Sequence, residues 1–214
     1  MKAIGHARFL SVIAMLAFAL FAADVAADVI GWWAFDDPSQ GVALDESGND
    51  NHFTLSGVTF SEAEEGFIGR ALNFVGDSDS ARADSTTGLR VTTFFPTELW
   101  IKPTAHHSDY GVNRFMTFGT ERYVFRLVDG RLHGYLWEDG LSYPDSLHFV
   151  TGATQLGSPE FPTDAWSHVA FTYDGAEMKV YLNGELDGSS ACTCSIDQEG
   201  NSNLFLSNGP DEPI

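Results

Sequence analysis

The sequence is poor in basic residues, with 11 lysines and arginines against 30 aspartates and glutamates and a formal net charge of −19. A surface of that sign repels phosphate backbones and anionic lipid headgroups, so the composition argues against a nucleic-acid-binding protein. Cysteine is scarce too: Cys192 and Cys194 alone are too few for a zinc site, which takes about four ligands. A disulfide between residues so close in sequence closes a very small ring, so we expect it to be strained or absent.

Motifs of common enzyme classes are also missing. The sequence has no Gly-x-Ser-x-Gly nucleophile elbow and no glycine-rich phosphate loop. Glycoside hydrolysis uses two carboxylates about 5–10 Å apart across one sugar bond. The nearest acidic motif, Glu62-Ala-Glu-Glu65, lacks the alternating apolar residues of a core strand, and we interpret it as a solvated acidic loop. The sequence therefore favours a protein without catalytic activity.

A long apolar run occurs only near the start of the chain. A basic beginning precedes Leu10–Ala22, which is too short to span a bilayer comfortably, and small residues follow at Val25–Ala27. We predict a signal peptide over residues 1–27, with an uncleaved anchor helix as the alternative, and a mature domain over 28–214. This domain is expected to be secreted or held at the cell surface, without membrane insertion after cleavage.

The rest of the sequence is typical of β structure. Its 21 glycines and 17 phenylalanines indicate many tight turns and a large aromatic core. Short alternating segments are separated by Asp129-Gly130, Asp174-Gly175 and Asn183-Gly184, pairs that tolerate the positive φ angles of tight hairpins. We find no convincing helix in the mature part. These features predict an all-β fold, an antiparallel two-sheet β-sandwich of the jelly-roll kind.

The hairpin at Asp174-Gly175 has a core face that does not depend on the length of its turn. A two-residue loop places Phe171 opposite Met178 and Val169 opposite Val180. A four-residue loop shifts the register by two and keeps the same side chains inward, because side chains alternate with a period of two.

The hairpin at Asp129-Gly130 is more informative about function. With a two-residue turn, Arg126 opposes His133. The core face carries Tyr123, Phe125, Leu127, Leu132 and Leu136, and the opposite face carries Val124, Arg126, Val128, Arg131, His133, Tyr135 and Trp137. Carbohydrate binding uses flat rings flanked by hydrogen-bonding groups, so Arg126, His133, Tyr135 and Trp137 are the predicted ligand-binding residues. The alternative is that this face packs under a long loop such as residues 139–162.

Several stretches resemble one known family when taken together and in order. Segments similar to laminin G-like domains are Gly31–Asp36, Asp45–His52, Gly69–Phe74, Leu99–Pro103, Trp166–Gly175 and Met178–Gly184. The chain thus resembles the laminin G / concanavalin A-like lectin superfamily, which implies a concanavalin A-like jelly roll and includes lectins, pentraxin-like modules, adhesion domains and some glycoside hydrolases. Gly31–Asp36 corresponds to the opening strand. The family's usual closing strand, of the form Ile-Asp-Glu-Val-Arg-Ile-Tyr, is expected beyond Ile214, so we interpret 28–214 as a domain without it.

Acidic side chains cluster on the first loops. Calcium takes six to eight oxygen ligands, often from such loops, and the resemblance implies one calcium near a sheet edge. We predict Asp36, Asp45, Asn49 and Asp77 as calcium ligands, with ordinary turn chemistry as the alternative. The pair His106-His107 lies in a polar segment without an evident third ligand, so we interpret it as solvated.

The function predicted from these features is a secreted, non-catalytic binding module for carbohydrate or extracellular glycoconjugates, with calcium as its predicted cofactor. Its partner would be a glycan or an extracellular protein rather than a nucleic acid. Two alternatives stay open: a glycoside hydrolase on the same fold, and a protein-adhesion or structural module of a larger exported protein.

Overall fold

The computed structural model describes residues 29–38, 41–76, 78–83, 89, 95–104, 112–119, 121–196 and 203–207. The predicted signal peptide lies outside these ranges. Within them the chain forms fourteen strands and no α-helix. The strands are β1 (Val42–Ala43), β2 (Phe53–Ser56), β3 (Thr59–Phe60), β4 (Leu72–Asn73), β5 (Ser80–Ala83), β6 (Phe95–Ile101), β7 (Val112–Phe118), β8 (Tyr123–Val128), β9 (Arg131–Trp137), β10 (Leu147–Thr151), β11 (Ser167–Tyr173), β12 (Glu177–Leu182), β13 (Glu185–Ala191) and β14 (Leu204–Ser207).

Two antiparallel sheets pack face to face. An eight-stranded sheet has the order β1-β2-β5-β14-β7-β8-β9-β10, and a four-stranded sheet has the order β13-β12-β11-β6. Strands β3 and β4 form a separate ribbon. Phe125 of the large sheet and Phe171 of the small one meet with ring centroids 5.8 Å apart. The predicted fold class, an all-β antiparallel sandwich, is confirmed.

The hairpin of β8 and β9 has the predicted register. Asp129 and Gly130 both have positive φ, at 48° and 73°, and form a two-residue turn. Arg126 pairs with His133, and Val128 pairs with Arg131. The turn thus fixes which side chains face the core and which face away.

The hairpin of β11 and β12 has the longer of the two predicted loops. Tyr173 pairs with Met178 and Phe171 with Val180, so four residues lie between the last paired residues of the two strands. Asp174 stabilises this loop because its Oδ1 accepts hydrogen bonds from Ala176 N at 3.0 Å and Glu177 N at 2.8 Å. The core side chains are those predicted, because a shift of two residues keeps every side chain on its face.

The core between the sheets is dominated by aromatic rings. Phe53, Phe125, Phe161 and Phe171 are fully buried. Gly134 lies directly against the Phe171 ring, and a Cβ atom at this position would come within 2.6 Å of two ring carbons. The sandwich is therefore tightly packed in the middle of β9, on the reverse side of the candidate binding residues.

The two sheets also meet through backbone at one margin. A Cβ atom on Gly188 of β13 would lie 2.5 Å from the carbonyl oxygen of Thr151, at the end of β10. Next to this contact, Ala153 N donates to Asp187 O at 2.9 Å, and Thr154 N donates to Asp187 Oδ1 at 2.9 Å. The end of β10 is thereby joined to the opposite sheet.

The predicted opening strand is not a strand. Residues 29–38 lie beside the loop at 45–51, and the hydrogen bonds between them mostly involve side chains rather than a backbone ladder. Trp32 N donates to Asp45 Oδ1 at 2.9 Å, and Trp33 Nε1 donates to Asn51 O at 2.8 Å. The prediction for Gly31–Asp36 is therefore wrong, because a carboxylate and an indole take the place of strand pairing.

The two cysteines are bonded to each other. Cys192 and Cys194 form a disulfide, so of the expected alternatives the structure has the bonded form. The Tyr173 hydroxyl accepts a hydrogen bond from Cys194 N at 3.0 Å and donates one to Cys194 O, so it satisfies both backbone polar groups of this buried cysteine. All three residues are buried.

Candidate functional site

The outer face of the large sheet is the face turned away from the small sheet. Side chains alternate along each strand, so the residues between the core positions of β7 to β10 point to this face. Its members on these strands include Arg114, Thr117, Val124, Arg126, Val128, Arg131, His133, Tyr135, Trp137, Phe149 and Thr151. The four predicted ligand-binding residues are thus brought together on one surface.

Two rows of neighbouring residues cross this face perpendicular to the strands. In the first row, Tyr135 lies between Val124 of β8 and Phe149 of β10. In the second row, His133 lies between Arg126 of β8 and Thr151 of β10. Neighbouring strands lie about 4.8 Å apart, so each row is a continuous line of contacting side chains.

Tyr135 is the packed centre of the face rather than an open platform. It is 4% exposed, and the Arg126 guanidinium lies over its ring, 4.8 Å from the centroid. Its hydroxyl donates to Glu121 Oε2 at 2.8 Å, and Glu121 also accepts from Arg114 Nη2. Burial, and then the negative charge of Glu121, raise the pKa of Tyr135 above its ordinary value. The hydroxyl therefore stays protonated and keeps its hydrogen bond to Glu121. The Tyr135 ring in turn holds the Arg126 guanidinium in place by a cation–π contact.

Exposed rings surround this centre. Phe149 is 56% exposed and stacks on the His133 ring with centroids 5.5 Å apart. Tyr143 is 71% exposed and stacks with the half-buried Trp137 at 6.4 Å. Large rings left in solvent beside hydrogen-bonding groups are typical of surfaces that bind sugars or proteins.

His133 is uncharged at neutral pH. Burial, and then the charge of Arg126, lower its pKa from 6.5 to about 4. Its Nδ1 lies 3.0 Å from Thr151 Oγ1, which joins β9 to β10 on this face. A neutral imidazole can both donate and accept hydrogen bonds, so it can contact hydroxyl groups of either orientation.

The low pKa of His133 predicts a specific loss of stability in acid. The unfolded chain takes up this proton near pH 6.5 and the folded chain near pH 4. Stability therefore falls as the pH drops through this window, by about 2 kcal/mol after allowance for solvent screening, and then levels off. Urea unfolding from pH 7 to pH 4 should show a smaller loss for His133→Gln than for the unchanged protein. Equal losses in the two proteins would contradict the expected effect.

The segment 139–162 covers the face only in part, because its Tyr143 stacks on Trp137 while much of the segment runs beside the sheet. It contains β10, which extends the sheet next to β9, and Gly152 N and Leu156 N donate to backbone oxygens of the β8–β9 hairpin. Sequence reasoning missed Phe149, Thr151 and Glu121 as members of the site. The alternation of Leu147, Phe149 and Thr151 was the available signal for the first two. Glu121 gives no such signal.

The predicted calcium ligand Asp45 has a defined role within its own loop. It is 6% exposed, and its two oxygens accept hydrogen bonds from the backbone N–H groups of Trp32, Ser47 and Asn51 at 2.9, 2.9 and 3.0 Å. Burial opposes ionisation, but these donors outweigh it and hold the pKa of Asp45 below its ordinary value. Asp45 thus organises the loop at 45–51.

The other calcium candidates lie in different settings. Asp36 Oδ1 accepts from Arg70 N at 2.9 Å, and Asn49 Nδ2 donates to the carbonyl oxygens of Val29 and Ile30 at 3.1 and 3.2 Å. Asp77 lies outside the described residues. Within the described ranges, the one group of three His, Cys, Asp or Glu with ligand atoms inside 4.8 Å is His148, Cys192 and Cys194.

The remaining sequence features have simple positions. Glu62, Glu64 and Glu65 are exposed in a turn, where Glu65 Oε2 accepts from Glu62 N at 3.2 Å. The His106-His107 pair lies outside the described residues. No helix in the described part of the chain is long and apolar enough to cross a membrane. Two clefts lie elsewhere, one beside Glu138 and Cys194 and the other beside Glu160 and Leu186. On the outer face itself, Val124, Thr117, Arg114 and Tyr135 are buried, and the exposed part is its margin at Phe149 and Thr151.

Comparison with known families gives one clear match. A protein-family model described as the concanavalin A-like lectin/glucanases superfamily matches residues 75–213. None of the curated proteins matches the chain. The matched range includes strands β5 to β14 and therefore most of the outer face.

Solved structures with a similar fold include three binding domains. The binding domain of Paraclostridial Mosquitocidal Protein 1 has a TM-score of 0.64 and 15% identity, over 84% of this chain and 43% of that one. Domain 4 of AbnA, an extracellular arabinanase from Geobacillus stearothermophilus solved with arabinotriose, has a TM-score of 0.56 and 22% identity, over 79% and 80%. The receptor binding domain of botulinum neurotoxin D has a TM-score of 0.56 and 13% identity, over 82% and 43%. The chain therefore spans less than half of the two toxin domains, and at these identities the likeness establishes a shared fold.

Proposed function

Because the chain belongs to the concanavalin A-like lectin/glucanases superfamily, we propose that it is a non-catalytic module that binds carbohydrate or extracellular glycoconjugates. The observation that carries the proposal is the outer face of the large sheet. There, exposed rings at Phe149 and Tyr143 border an ordered group of donors and acceptors around Arg126 and His133. Sugars offer apolar ring faces and hydroxyl edges, which such a surface complements.

The exposed margin of the outer face, at Phe149 and Tyr143, suits an extended ligand better than a small metabolite. Small-molecule sites are usually concave and enclose most of their ligand. Here the exposed rings lie on the strand and loop at one side of a broad sheet, beside the half-buried polar groups of His133 and Arg126, whereas Val124, Thr117 and Arg114 farther across the face are buried. An oligosaccharide or a glycan chain lying along this margin would use both the rings and the half-buried polar groups.

The solved relatives support the same class of function. One is a domain of an extracellular arabinanase solved with arabinotriose, and two are binding domains of toxins. The proposal includes export, which the predicted leader at residues 1–27 supports. Within it, calcium binding through Asp36, Asp45, Asn49 and Asp77 stays a prediction, to be checked by titration of the metal-free protein.

The proposal predicts that an exposed ring on the outer face contributes strongly to binding. The purified protein is screened on immobilised polysaccharides and glycans, and a bound glycan is then titrated by calorimetry. Phe149→Ala should weaken that binding about tenfold or more, because the ring is the most accessible apolar group beside His133. Trp100→Ala is the matched control, since Trp100 is a 41% exposed aromatic on the small sheet, and it should change binding less than about twofold.

Four outcomes would contradict or revise the proposal. A folded protein that binds no glycan would remove it, and loss of binding by Trp100→Ala instead of Phe149→Ala would move the site to the other sheet. Release of reducing sugar from a bound polysaccharide would favour the hydrolase alternative. Binding to an extracellular protein that persists after enzymatic removal of its glycans would favour an adhesion module.

A further inference from the structure

A disulfide and an imidazole come together at a margin between the two sheets. The sulfur atoms of Cys192 and Cys194 and a ring nitrogen of His148 all lie within 4.8 Å of one another. Glu138 completes the cluster, because its Oε2 lies 2.6 Å from His148 Nε2. The cysteines follow β13 of the small sheet, whereas Glu138 directly follows β9 and His148 belongs to β10, both in the large sheet. The cluster therefore connects the two layers of the sandwich.

Strand alternation places His148 on the core side of β10. It pairs with the fully buried Leu136, whereas the next residue, Phe149, lies on the outer face. The side chains of His148 and Glu138 are half-buried, so the cluster lies where the core meets solvent. It is thus on the opposite side of the strand from the proposed glycan-binding face.

A cleft opens onto the cysteine segment. It has a volume of about 350 Å³, and its walls are Glu138, Gly175, Thr193, Cys194 and Ser195. Cys194 is buried but forms part of the wall of this cleft. A small thiol or a hydrated ion can therefore approach the disulfide from this side.

The backbone of the cysteine segment is held by contacts other than the disulfide. Cys192 N donates to Ala176 O at 2.9 Å, and the Tyr173 hydroxyl bonds to both the N–H and the carbonyl of Cys194. The disulfide encloses a single residue, so it constrains the unfolded chain only slightly. We therefore expect reduction to leave the fold intact and both thiols near His148.

Two thiolates and one imidazole form a donor set that suits zinc. Two cysteines alone are too few for a zinc site, and the fold supplies a third ligand from a distant strand. In a tetrahedral zinc site neighbouring ligand atoms lie roughly 3.5–3.8 Å apart, so the reduced side chains need to shift by about 1–2 Å. The contact with Glu138 orients the imidazole, as carboxylates commonly do for histidines that bind metals.

From this cluster we infer a zinc site in the reduced form of the protein, held by the thiolates of Cys192 and Cys194 and one ring nitrogen of His148. A water molecule in the cleft is the fourth ligand. The bound ion joins the small sheet to the large one, whereas the disulfide links two residues of one segment. The inference does not depend on glycan binding.

The disulfide must be reduced before the ion can bind. A dithiol reductant attacks one sulfur, the bond between Cys192 and Cys194 breaks, and two electrons and two protons pass to the protein while the reductant closes its own disulfide. Zinc then takes the place of the two thiol protons, which are released to solvent. The oxidised protein has no thiolate to offer, so the site exists in one redox state only.

The test compares oxidised and reduced protein, with zinc as the probe. The protein is reduced with dithiothreitol, the reductant is removed under nitrogen, the thiols are counted, and zinc is titrated by calorimetry. We expect two thiols and one zinc per chain, with binding at least about a hundredfold tighter in the reduced protein than in the oxidised one. Zinc should also raise the melting temperature of the reduced protein and leave that of the oxidised protein unchanged.

Two histidine variants locate the ion. His148→Gln should weaken zinc binding by the reduced protein about tenfold or more, because one of three protein ligands is lost. His168→Gln is the matched control, since His168 is also half-buried and its Nε2 lies 3.4 Å from Glu98 Oε2, but it belongs to β11 on the other sheet. It should change zinc binding less than about twofold.

Several results would overturn the inference. Equal zinc binding by the oxidised and reduced proteins would do so, as would equal binding by His148→Gln and the unchanged protein. Half a zinc per chain would indicate an ion shared between two copies instead of this site. Thiols that form only in denaturant, or a reduced protein that stays unfolded with zinc, would show that the fold does not present the three ligands together.

Discussion

Replacing Gly134 with alanine is expected to lower the free energy of unfolding by about 3 kcal/mol, the upper end of what one added methyl costs in a packed core. A Cβ atom there would lie 2.6 Å from two carbons of the Phe171 ring, and both residues are buried between the sheets. Because β8 and β10 flank Gly134 on either side, the backbone of β9 cannot retreat without breaking ladder hydrogen bonds. Urea unfolding monitored by fluorescence would measure the loss.

A double-mutant cycle separates this clash from a general intolerance of β9 to substitution. Phe171→Leu alone should cost about 1–2 kcal/mol by leaving space in the core. Combined with Gly134→Ala, it should cost clearly less than the two single effects added together, because the new methyl group then occupies part of that space. Additive effects, or a Gly134→Ala variant as stable as the unchanged protein, would refute the close contact.

Replacing Asp45 with asparagine is expected to cost about 3 kcal/mol. The buried carboxylate accepts from three backbone N–H groups, and an amide would turn an NH₂ group towards at least one of them. Since the folded pKa of Asp45 is lowered, its contribution is present above its ordinary pKa near 3.8 and is lost as the pH falls below that value. Thermal and urea unfolding at pH 7 would measure the effect.

Asp50→Asn is the matched control for this change. Asp50 lies in the same loop with a side chain that is 91% exposed, so its replacement should change stability by less than about 0.5 kcal/mol. Repeating both measurements with calcium and with a chelator tests the calcium prediction at the same time. A cost at Asp45 that appears only with calcium would identify a metal ligand in place of an organiser of the loop.

Local sequence signals were sufficient for the two central hairpins. Asp129-Gly130 and its flanking alternation define the pairing of Arg126 with His133, because a two-residue turn leaves one register. The ambiguity at Asp174-Gly175 concerned loop length alone, and the alternation of Val169, Phe171 and Tyr173 was enough to define the core face. Hairpin register and the core face depend on residues close together in the chain, and they can therefore be predicted from the sequence.

Features that depend on distant pairing were not predictable. Strand β14 lies between β5 and β7, and only this non-sequential order places Arg82 in line with Tyr135. The surroundings of Tyr135 likewise depend on residues away from it in the chain, since Arg126 of β8 lies over its ring and Glu121, 14 residues earlier, accepts from its hydroxyl. The opening segment failed as a strand for the same reason, since its hydrogen bonds go to Asp45 and to Asn51, many residues later.

The margin where Gly188 lies against the Thr151 carbonyl has a consequence for recognition. It anchors the strand of Phe149 and Thr151 to the opposite half of the molecule through a backbone contact too close for a Cβ atom and through hydrogen bonds to Asp187. We therefore expect this side of the face to be a preformed template, so that little ordering entropy is lost there when a partner binds. Selectivity must then come from how well a ligand's own contour and charge spacing match that template, rather than from adjustment by the protein.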